Sequence, residues 1–225
     1  MKILCIGSHP DDVELSMGGA ILRMVRANHE VVVLDLSNGE PTPFGSVETR
    51  KKESKKASEI MGIRRFELDF PNRFIMDSID GRKKIAAFIR TVQPEILFTH
   101  FEFDSHPDHT ECCKLIEGAR FYSKLSNSDI PGEPFYPRKI LYYFPNHIKL
   151  DIHPSFCVDI GDFVEKKKQI LECYESQFIK NGNGRVIEEC ILANRYFGQR
   201  IGKLSAEPFH SRETLDVLEL AGLFA

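Results

Sequence analysis

The sequence predicts an α/β fold: a Rossmann-like, doubly wound and mostly parallel sheet with helices on both faces and an elaborated C-terminal third. Short, continuously apolar runs such as residues 3–6 and 31–34 are typical of strands buried on both faces of a parallel sheet. Between such runs the apolar residues recur at helical spacing, as in residues 14–28. Strands and helices therefore alternate, which is the signature of a doubly wound sheet.

Four strand–helix units account for the first 124 residues. We expect strands at 3–6, 31–34, 65–70 and 95–99, and helices at 14–28, 47–61, 79–92 and 107–124. Beyond residue 126 the pattern loosens, with strands expected at 139–144 and 156–160 and helices at 162–178 and 186–203. No linker or repeat interrupts the chain, so we expect residues 1–225 to form a single domain.

The composition argues against several classes of protein. The formal net charge of −3 gives no electrostatic case for binding nucleic acid or an anionic membrane. No run approaches the ~18 apolar residues of a membrane span, so we expect a soluble cytoplasmic protein. The basic clusters at 50–52, 55–56 and 166–168 lie in helix-like stretches beside glutamates and are expected to be solvated helix faces. The six cysteines form no C-x-x-C pair and are expected to be buried thiols.

Two acidic, histidine-containing segments each follow an apolar strand and open a helix. The first is Ser-His-Pro-Asp-Asp-Val-Glu at residues 8–14, and the second is Asp-Ser-His-Pro-Asp-His at residues 104–109. In the common strand order 3-2-1-4-5, strands one and four are neighbours, and ligands bind outside their carboxyl ends. We therefore expect the two segments to meet in one crevice, although they are far apart in sequence.

The residue types in these segments suit a catalytic zinc. Such a zinc takes three imidazole or carboxylate ligands and keeps a position for water, whose pKa it lowers to about 7. A nearby carboxylate can accept the proton of that water, and a histidine can stabilise the oxyanion and protonate the leaving amine. Seven residues are candidates, and their spacing does not separate ligand from base: His9, Asp11, Asp12, Asp104, His106, Asp108 and His109.

Each segment also has a simpler interpretation. Acidic residues suit a helix N-terminus, and a proline-initiated helix could carry a surface histidine. The occurrence of both segments at the ends of strands one and four favours a functional site. Gly18 and Gly19 are unusual inside a helix, and close packing of that helix on the sheet would explain them. They are not a dinucleotide-binding fingerprint, because no G-x-G-x-x-G follows the first strand.

The two motifs resemble those of the LmbE-like, or PIG-L, family of zinc-dependent N-acetylglucosamine deacetylases. His-Pro-Asp-Asp at 9–12 with the glycine pair looks like the family's first motif, and 106–109 like its second. The resemblance covers most of the chain and points to the branch that deacetylates N-acetylglucosaminyl-malate in bacillithiol biosynthesis. Supporting stretches lie at 47–53, 71–73, 175–178 and 206–209.

This resemblance implies a metal centre and an assembly. His9, Asp12 and His109 would bind Zn²⁺, with Fe²⁺ as another possible metal. The partner would be a small amino-sugar conjugate rather than nucleic acid or membrane. Family members of this branch form homo-oligomers, so the resemblance also implies an oligomer, a hexamer by analogy.

The same resemblance implies roles for five further residues. Asp11 would be the general base, His106 the acid and oxyanion stabiliser, and Asp108 the carboxylate that orients the His106 ring. Arg50 matches an arginine of the family's substrate pocket, where a guanidinium suits a malate carboxylate, and Arg73 is a second candidate for that contact.

Other functions remain open at this point. The same chemistry could act on a chito-oligosaccharide, a nucleotide sugar or another N-acyl sugar. The chain could also be a non-catalytic protein that binds a metal or a sugar, although it retains all the implied ligands and acid–base residues. A nucleotide-dependent oxidoreductase or transferase is disfavoured because the phosphate-binding loop is missing.

Overall fold

A seven-stranded sheet between two hydrophobic cores organises the computed structural model, which describes residues 1–144, 153–180, 182 and 184–224. The strands are β1 (Lys2–Gly7), β2 (Glu30–Asp35), β3 (Arg64–Glu67), β4 (Ile96–His100), β5 (Lys139–Tyr143), β6 (Phe156–Asp159) and β7 (Ala206–His210). The helices are α1 (Asp12–Arg26), α2 (Val47–Met61), α3 (Ile79–Val92), α4 (Pro107–Ser123), α5 (Val164–Glu172), α6 (Glu175–Phe178), α7 (Arg185–Arg200) and α8 (Val217–Phe224), with a short 3₁₀ helix at Gly161–Phe163.

The strand order is β3-β2-β1-β4-β5-β7-β6, and β1 to β5 are parallel. This confirms the expected order 3-2-1-4-5 and the α/β fold. Because β1 and β4 are neighbours, their carboxyl ends lie together where the winding reverses, and the segments after both strands share one crevice.

Alternate residues of β1 enter opposite cores. Ile3 and Cys5 belong to the core that packs against α1, while Leu4 and Ile6 belong to the core beneath α3 and α4. A strand side chain alternates between the two faces of the sheet, so a strand buried on both faces must be apolar at every position. This explains the uninterrupted apolar run at 3–6 that predicted the strand.

The C-terminal third differs most from expectation. The antiparallel strand β7 was not predicted; it lies between β5 and β6. The prediction of a single helix at 162–178 is wrong, because the chain there forms the 3₁₀ helix, α5 and α6 in succession. Helix α8 was also missed, and the last predicted helix ends at Arg200 rather than 203.

Two basic residues of the expected solvated faces are buried. Arg50 is 2% exposed and Lys167 is fully buried, whereas Lys51 and Lys166 in the same clusters are exposed as expected. Arg50 forms an ion pair with the partly buried Asp11, and Lys167 forms one with the fully buried Glu207. Burial of a charge is tolerated only with such a partner, and a run of lysines in the sequence does not reveal one.

The remaining expectations concern cysteines and membranes. All six cysteines are free thiols, and all but Cys157 are buried, as predicted. Among the described residues, no helix combines the length and apolar character needed to cross a bilayer.

Candidate metal centre and active site

The two histidine-containing segments are in direct contact, as the strand order predicts. The backbone N–H of Ser8, just after β1, donates to His100 Nε2 at the end of β4, at 3.1 Å. The Ser8 hydroxyl donates to the backbone oxygen of Asp108 in the first turn of α4, also at 3.1 Å. These contacts between residues about 100 positions apart fix both segments at the carboxyl edge of the sheet.

Three buried residues converge at this edge with the donor atoms of a metal site. His9 Nδ1 lies 3.4 Å from Asp12 Oδ2, and His109 Nε2 lies 3.2 Å from Asp12 Oδ1. One donor atom from each residue falls within a 4.8 Å group. Two imidazoles and one carboxylate with an open side are the donor set of a catalytic zinc, so the residues present fit that metal.

The second nitrogen of each of these histidines binds a further carboxylate. His9 Nε2 lies 2.9 Å from Asp108 Oδ2, and His109 Nδ1 lies 2.5 Å from Asp104 Oδ2. A carboxylate on the outer nitrogen orients a metal-binding imidazole and raises its basicity. Asp104 was only an unassigned candidate in the sequence, and its contact with His109 puts it in the position that such a carboxylate occupies.

The hydrogen bonds of the Asp108 carboxylate go to groups other than the His106 ring, which the resemblance assigned to it. Besides His9, it accepts hydrogen bonds from the backbone N–H groups of Arg73 at 2.7 Å and Ile75 at 3.2 Å. Its link to His106 runs through the backbone, since the Asp108 N–H donates to His106 Nδ1 at 3.2 Å. Asp108 therefore connects His9, a candidate metal ligand, to the loop after β3 through its carboxylate, and it contacts the His106 ring through its backbone N–H.

The electrostatic field of the centre favours positive charge. Burial alone would lower the pKa of His9, but the Asp12 charge and the contacts with Asp108 and Asp12 outweigh it and raise the pKa to about 9. In the same way, burial is outweighed at His109 by Asp12 and Asp104, and its pKa rises to about 10. Carboxylates that stabilise two imidazolium ions so strongly would also stabilise a divalent cation between the same rings.

Asp11, the expected general base, is held by the expected substrate-binding arginine. Arg50 Nη1 donates to Asp11 Oδ2 at 3.0 Å, and Nη2 donates to the Pro10 carbonyl. Burial raises the pKa of Asp11 to about 6, against the lowering effect of the Arg50 charge. The Asp11 backbone has φ 103°, a conformation that costs about 1–3 kcal/mol outside glycine and that the surrounding contacts must maintain.

A cavity of about 260 Å³ opens over these residues. Its wall joins the metal centre to the loops after β2 and β3 and to α6. The lining residues are His9, Asp11, Asp12, Leu15, Gly39, Thr42, Arg50, Asn72, Arg73, His106, His109 and Gln177. A larger cavity of about 580 Å³ between α2 and β3 includes none of the predicted site residues. Seven of the eight predicted site residues line the smaller cavity, and Asp108 lies behind it.

The two arginines of the cavity differ in what they can offer a ligand. The Arg50 guanidinium is buried and bonded to Asp11 and Pro10, and its Nε has no hydrogen-bond partner among the described residues. The Arg73 side chain is exposed, and its Nη2 donates to the Pro41 carbonyl at 2.8 Å. A guanidinium has five N–H donors, so Arg73 retains more capacity for a bound anion.

His100 is a site residue that the sequence analysis missed. It is fully buried, and its ring stacks on the His109 ring with centroids 4.0 Å apart. Burial and the nearby His109 charge lower the pKa of His100 to about 4, so the ring is neutral and accepts the Ser8 N–H. Its position as the last residue of β4, next to β1, is the signal that could have identified it.

The chain also matches the model of a known protein family. Residues 4–119 match the model of the PIG-L family, described as GlcNAc-PI de-N-acetylase. The chain belongs to the PIG-L family. The matched region contains both motifs and every predicted site residue.

Relatives of this PIG-L chain include enzymes with different reactions. The diacetylchitobiose deacetylase of Thermococcus kodakarensis is 30% identical over 193 residues, which span 79% of this chain and 70% of the relative. The 4-oxalmesaconate hydratase of Pseudomonas putida is 26% identical over 192 residues, spanning 77% and 73%. The crystal structure of the conserved protein TT1542 from Thermus thermophilus superposes with a TM-score of 0.89 at 34% identity, covering 96% of this chain and 97% of that chain.

Proposed function

We propose that the protein is a zinc-dependent deacetylase that hydrolyses the acetamide of an N-acetylglucosamine conjugate, releasing acetate and a free amine. The observation that carries this proposal is the convergence of His9, Asp12 and His109 in one cavity with Asp11 and His106. Zinc held by the first three residues would act as a Lewis acid toward the acetamide carbonyl and the attacking water.

Asp11 and His106 both line the cavity, and their protonation states suit a general base and a hydrogen-bond donor to the oxyanion. With a pKa of about 6, Asp11 is ionised at neutral pH and can accept a proton from the attacking water. Burial lowers the pKa of His106, so its ring is neutral. Because Nδ1 accepts the Asp108 N–H, the proton of this neutral ring is on Nε2, where it can donate a hydrogen bond that stabilises the oxyanion. The proton that Asp11 accepts from the water is then the one available to the leaving amine.

We further propose that the sugar carries an acidic group, as in N-acetylglucosaminyl-malate of bacillithiol biosynthesis. Arg73 supports this substrate, because its exposed guanidinium lies on the cavity wall while Asp108 holds its backbone in place. Arg50 was the first candidate for this contact, but its guanidinium is already bonded to Asp11 and Pro10. In our proposal Arg50 therefore holds the general base Asp11 in place.

A second candidate substrate is N,N'-diacetylchitobiose, on which the Thermococcus kodakarensis relative acts according to its name. This substrate has the same acetamide but no carboxylate. The hydratase relative raises a third candidate reaction, the hydration of an unsaturated carboxylic acid.

One substrate panel separates these candidates. Amine release is measured with zinc-loaded protein on N-acetylglucosaminyl-malate, the methyl glycoside of N-acetylglucosamine and diacetylchitobiose. Hydration of an unsaturated dicarboxylate is followed by loss of ultraviolet absorbance. We expect the highest kcat/KM for the malate conjugate. Hydration without amine release from any substrate would overturn the deacetylase proposal.

Arginine variants test the choice of aglycone within the same panel. A hydrogen bond to a charged group contributes about 1.5–3 kcal/mol, so Arg73→Gln should lower kcat/KM for the malate conjugate by about 10- to 100-fold. The methyl glycoside should be little affected. Arg50→Gln is the matched control, and it should reduce activity on all substrates alike because Arg50 acts through Asp11. Equal losses on both substrates in Arg73→Gln would exclude Arg73 as the carboxylate contact.

A further inference from the structure

Helix α1, which begins at the metal ligand Asp12, is broken in its middle. Met17 has φ −144° and ψ 20°, outside the helical region, so residues 12–16 and 18–26 form two helical segments. In a continuous helix the N–H of Gly19 would donate to the carbonyl of Leu15, four residues earlier. The break separates this donor from this acceptor inside the protein core, where each needs another partner.

Glu207 of β7 accepts the backbone donors that the break leaves. Its carboxylate accepts from the N–H of Gly19 at 2.9 Å and from the N–H of Ala20 at 2.6 Å. A carboxylate at this position acts as a cap for the second segment, because it satisfies the first N–H groups and interacts favourably with the helix dipole.

Lys167 of α5 donates to the acceptor on the other side of the break. Its ammonium group donates to the Leu15 carbonyl at 2.8 Å, to Glu207 Oε1 at 2.6 Å and to Asn194 Oδ1 of α7 at 3.0 Å. These three bonds use all three N–H donors of the ammonium. We call Lys167, Asn194 and Glu207 the break cluster; each is no more than 2% exposed.

The break changes the direction in which Asp12 can project. In a continuous helix, residues seven apart lie within about 20° of each other on one face. Asp12 would then project from the face on which Gly19 packs, where an added Cβ would lie only 2.8 Å from Ile160. This contact confirms close packing at Gly19, whereas at Gly18 an added Cβ would be in ordinary contact, 3.7 Å from Lys167 Cγ. With the break, Gly19 remains against Ile160 while Asp12 faces His9 and His109.

We propose that Lys167 and Glu207 are positioning residues, which maintain the break in α1 and thereby direct the Asp11–Asp12 turn into the metal centre. The cluster comes from α5, α7 and β7, so it gives the C-terminal third a role in building a site whose ligands all lie in the first 109 residues. The inference rests on the proposed metal centre, but not on the identity of the substrate.

The test compares metal binding in Lys167→Met and Glu207→Gln with the wild-type protein. Both substitutions keep the approximate volume of the side chain and remove one charge. We expect the Zn²⁺ dissociation constant, measured by competition with a chromophoric chelator, to rise by about 10-fold or more in each variant. The absorption spectrum of bound Co²⁺ should change, and kcat at saturating zinc should fall with KM nearly constant.

Arg90→Met is the matched control for loss of a buried cation. Arg90 is 4% exposed and donates to the carbonyls of Ser123, Leu125 and Ile130, which are remote from the cavity. This variant should lose stability but keep the wild-type Zn²⁺ dissociation constant and Co²⁺ spectrum. Asn194→Ala removes one hydrogen-bond acceptor from Lys167, and it replaces the charge variants in this test if they do not fold. Its Zn²⁺ affinity should also be lower than that of the wild-type protein.

Two outcomes separate this inference from the proposed function. Folded break-cluster variants that bind Zn²⁺ with the wild-type affinity and retain the wild-type Co²⁺ spectrum would overturn the positioning role. Wild-type protein that binds zinc but releases amine from no substrate would overturn the deacetylase function, while the affinity comparison would still decide the role of the cluster.

Discussion

Each histidine of the candidate metal site is paired with its own carboxylate. Asp108 contacts His9 and Asp104 contacts His109, in both cases through the nitrogen that does not face Asp12. Such pairs hold the rings in one orientation, so that the other nitrogen is presented to the metal. Both carboxylates lie within α4 or the turn before it, and one short segment therefore orients two ligands.

Asp104→Asn should weaken metal binding without removing it. The amide retains the shape of the side chain but loses the charge that raises the basicity of His109, and loss of such a partner typically costs about 10- to 100-fold in metal affinity. Chelator competition measures the Zn²⁺ dissociation constant. Asp77→Asn is a suitable control, because Asp77 pairs with Arg82 and does not line the cavity. An unchanged dissociation constant in Asp104→Asn would refute the orienting role.

Asp11→Asn should separate catalysis from metal binding. The amide oxygen can still accept from Arg50, but the side chain can no longer accept a proton, so kcat should fall by about 10²- to 10⁴-fold. Zinc content after dialysis should remain near one per chain. His109→Ala is the opposite case and should lose zinc. Wild-type turnover in Asp11→Asn would rule out its role as the general base.

At the residue scale, the sequence predicted correctly which side chains come together. It predicted less well which atoms of those side chains bond to each other. His9, Asp12 and His109 come together because the strand order brings their segments to one edge. The partner of the Asp108 carboxylate depends on side-chain direction within that crevice, and a motif does not contain this information. The burial of Lys167 was missed for a similar reason, since its partner Glu207 is 40 residues away in sequence.

At the scale of elements, the edge strand β3, Arg-Arg-Phe-Glu, contains no apolar run, but β1, β2, β4 and β5 were predictable because buried parallel strands are largely apolar. Strand β7 was not, because Glu207 and Pro208 occupy its middle, and a proline normally argues against an interior strand. Pro208 is tolerated because β7 pairs with β5 only through Phe209 and His210, the two residues that follow the proline. Pro208 itself has no partner in β5. Tertiary structure here overrides a local sequence signal.

The loop after β2 depends on one glycine for the contact between Arg50 and Asp11. Gly39 has φ +75°, and an added Cβ would lie 2.8 Å from Arg50 Nη2. Gly39→Ala should therefore strain the backbone, displace the guanidinium and lower kcat on every substrate, with a loss of stability of about 1 kcal/mol or more. Steady-state kinetics and thermal denaturation measure the two effects.

Gly202→Ala provides the matched control for the backbone effect alone. Gly202 has a similar φ of +68°, but nothing lies within 4 Å of its added Cβ. This variant should lose stability while keeping the wild-type kcat. If Gly39→Ala also kept the wild-type kcat, the loop would not position Arg50.

At the scale of the whole molecule, the candidate metal centre joins distant parts of the chain. His9 and Asp12 follow β1, His109 lies on α4, and the break cluster links the same turn to the C-terminal third. An unfolded chain would have to bring ligands about 100 residues apart together before it could bind the ion at this site. A metal that binds the folded state alone must stabilise it by mass action.

Zinc should therefore raise the melting temperature of the whole protein. A free zinc concentration of 100 times the dissociation constant adds about 2.7 kcal/mol, which corresponds to a shift of about 5–11 °C for a chain of this length. Differential scanning calorimetry of metal-free and zinc-loaded protein measures it. His109→Ala should show little shift at the same zinc concentration, because two of the three donors remain and the affinity falls. An equal shift in this variant would mean that zinc stabilises the protein from a site other than the one that His109 helps to form.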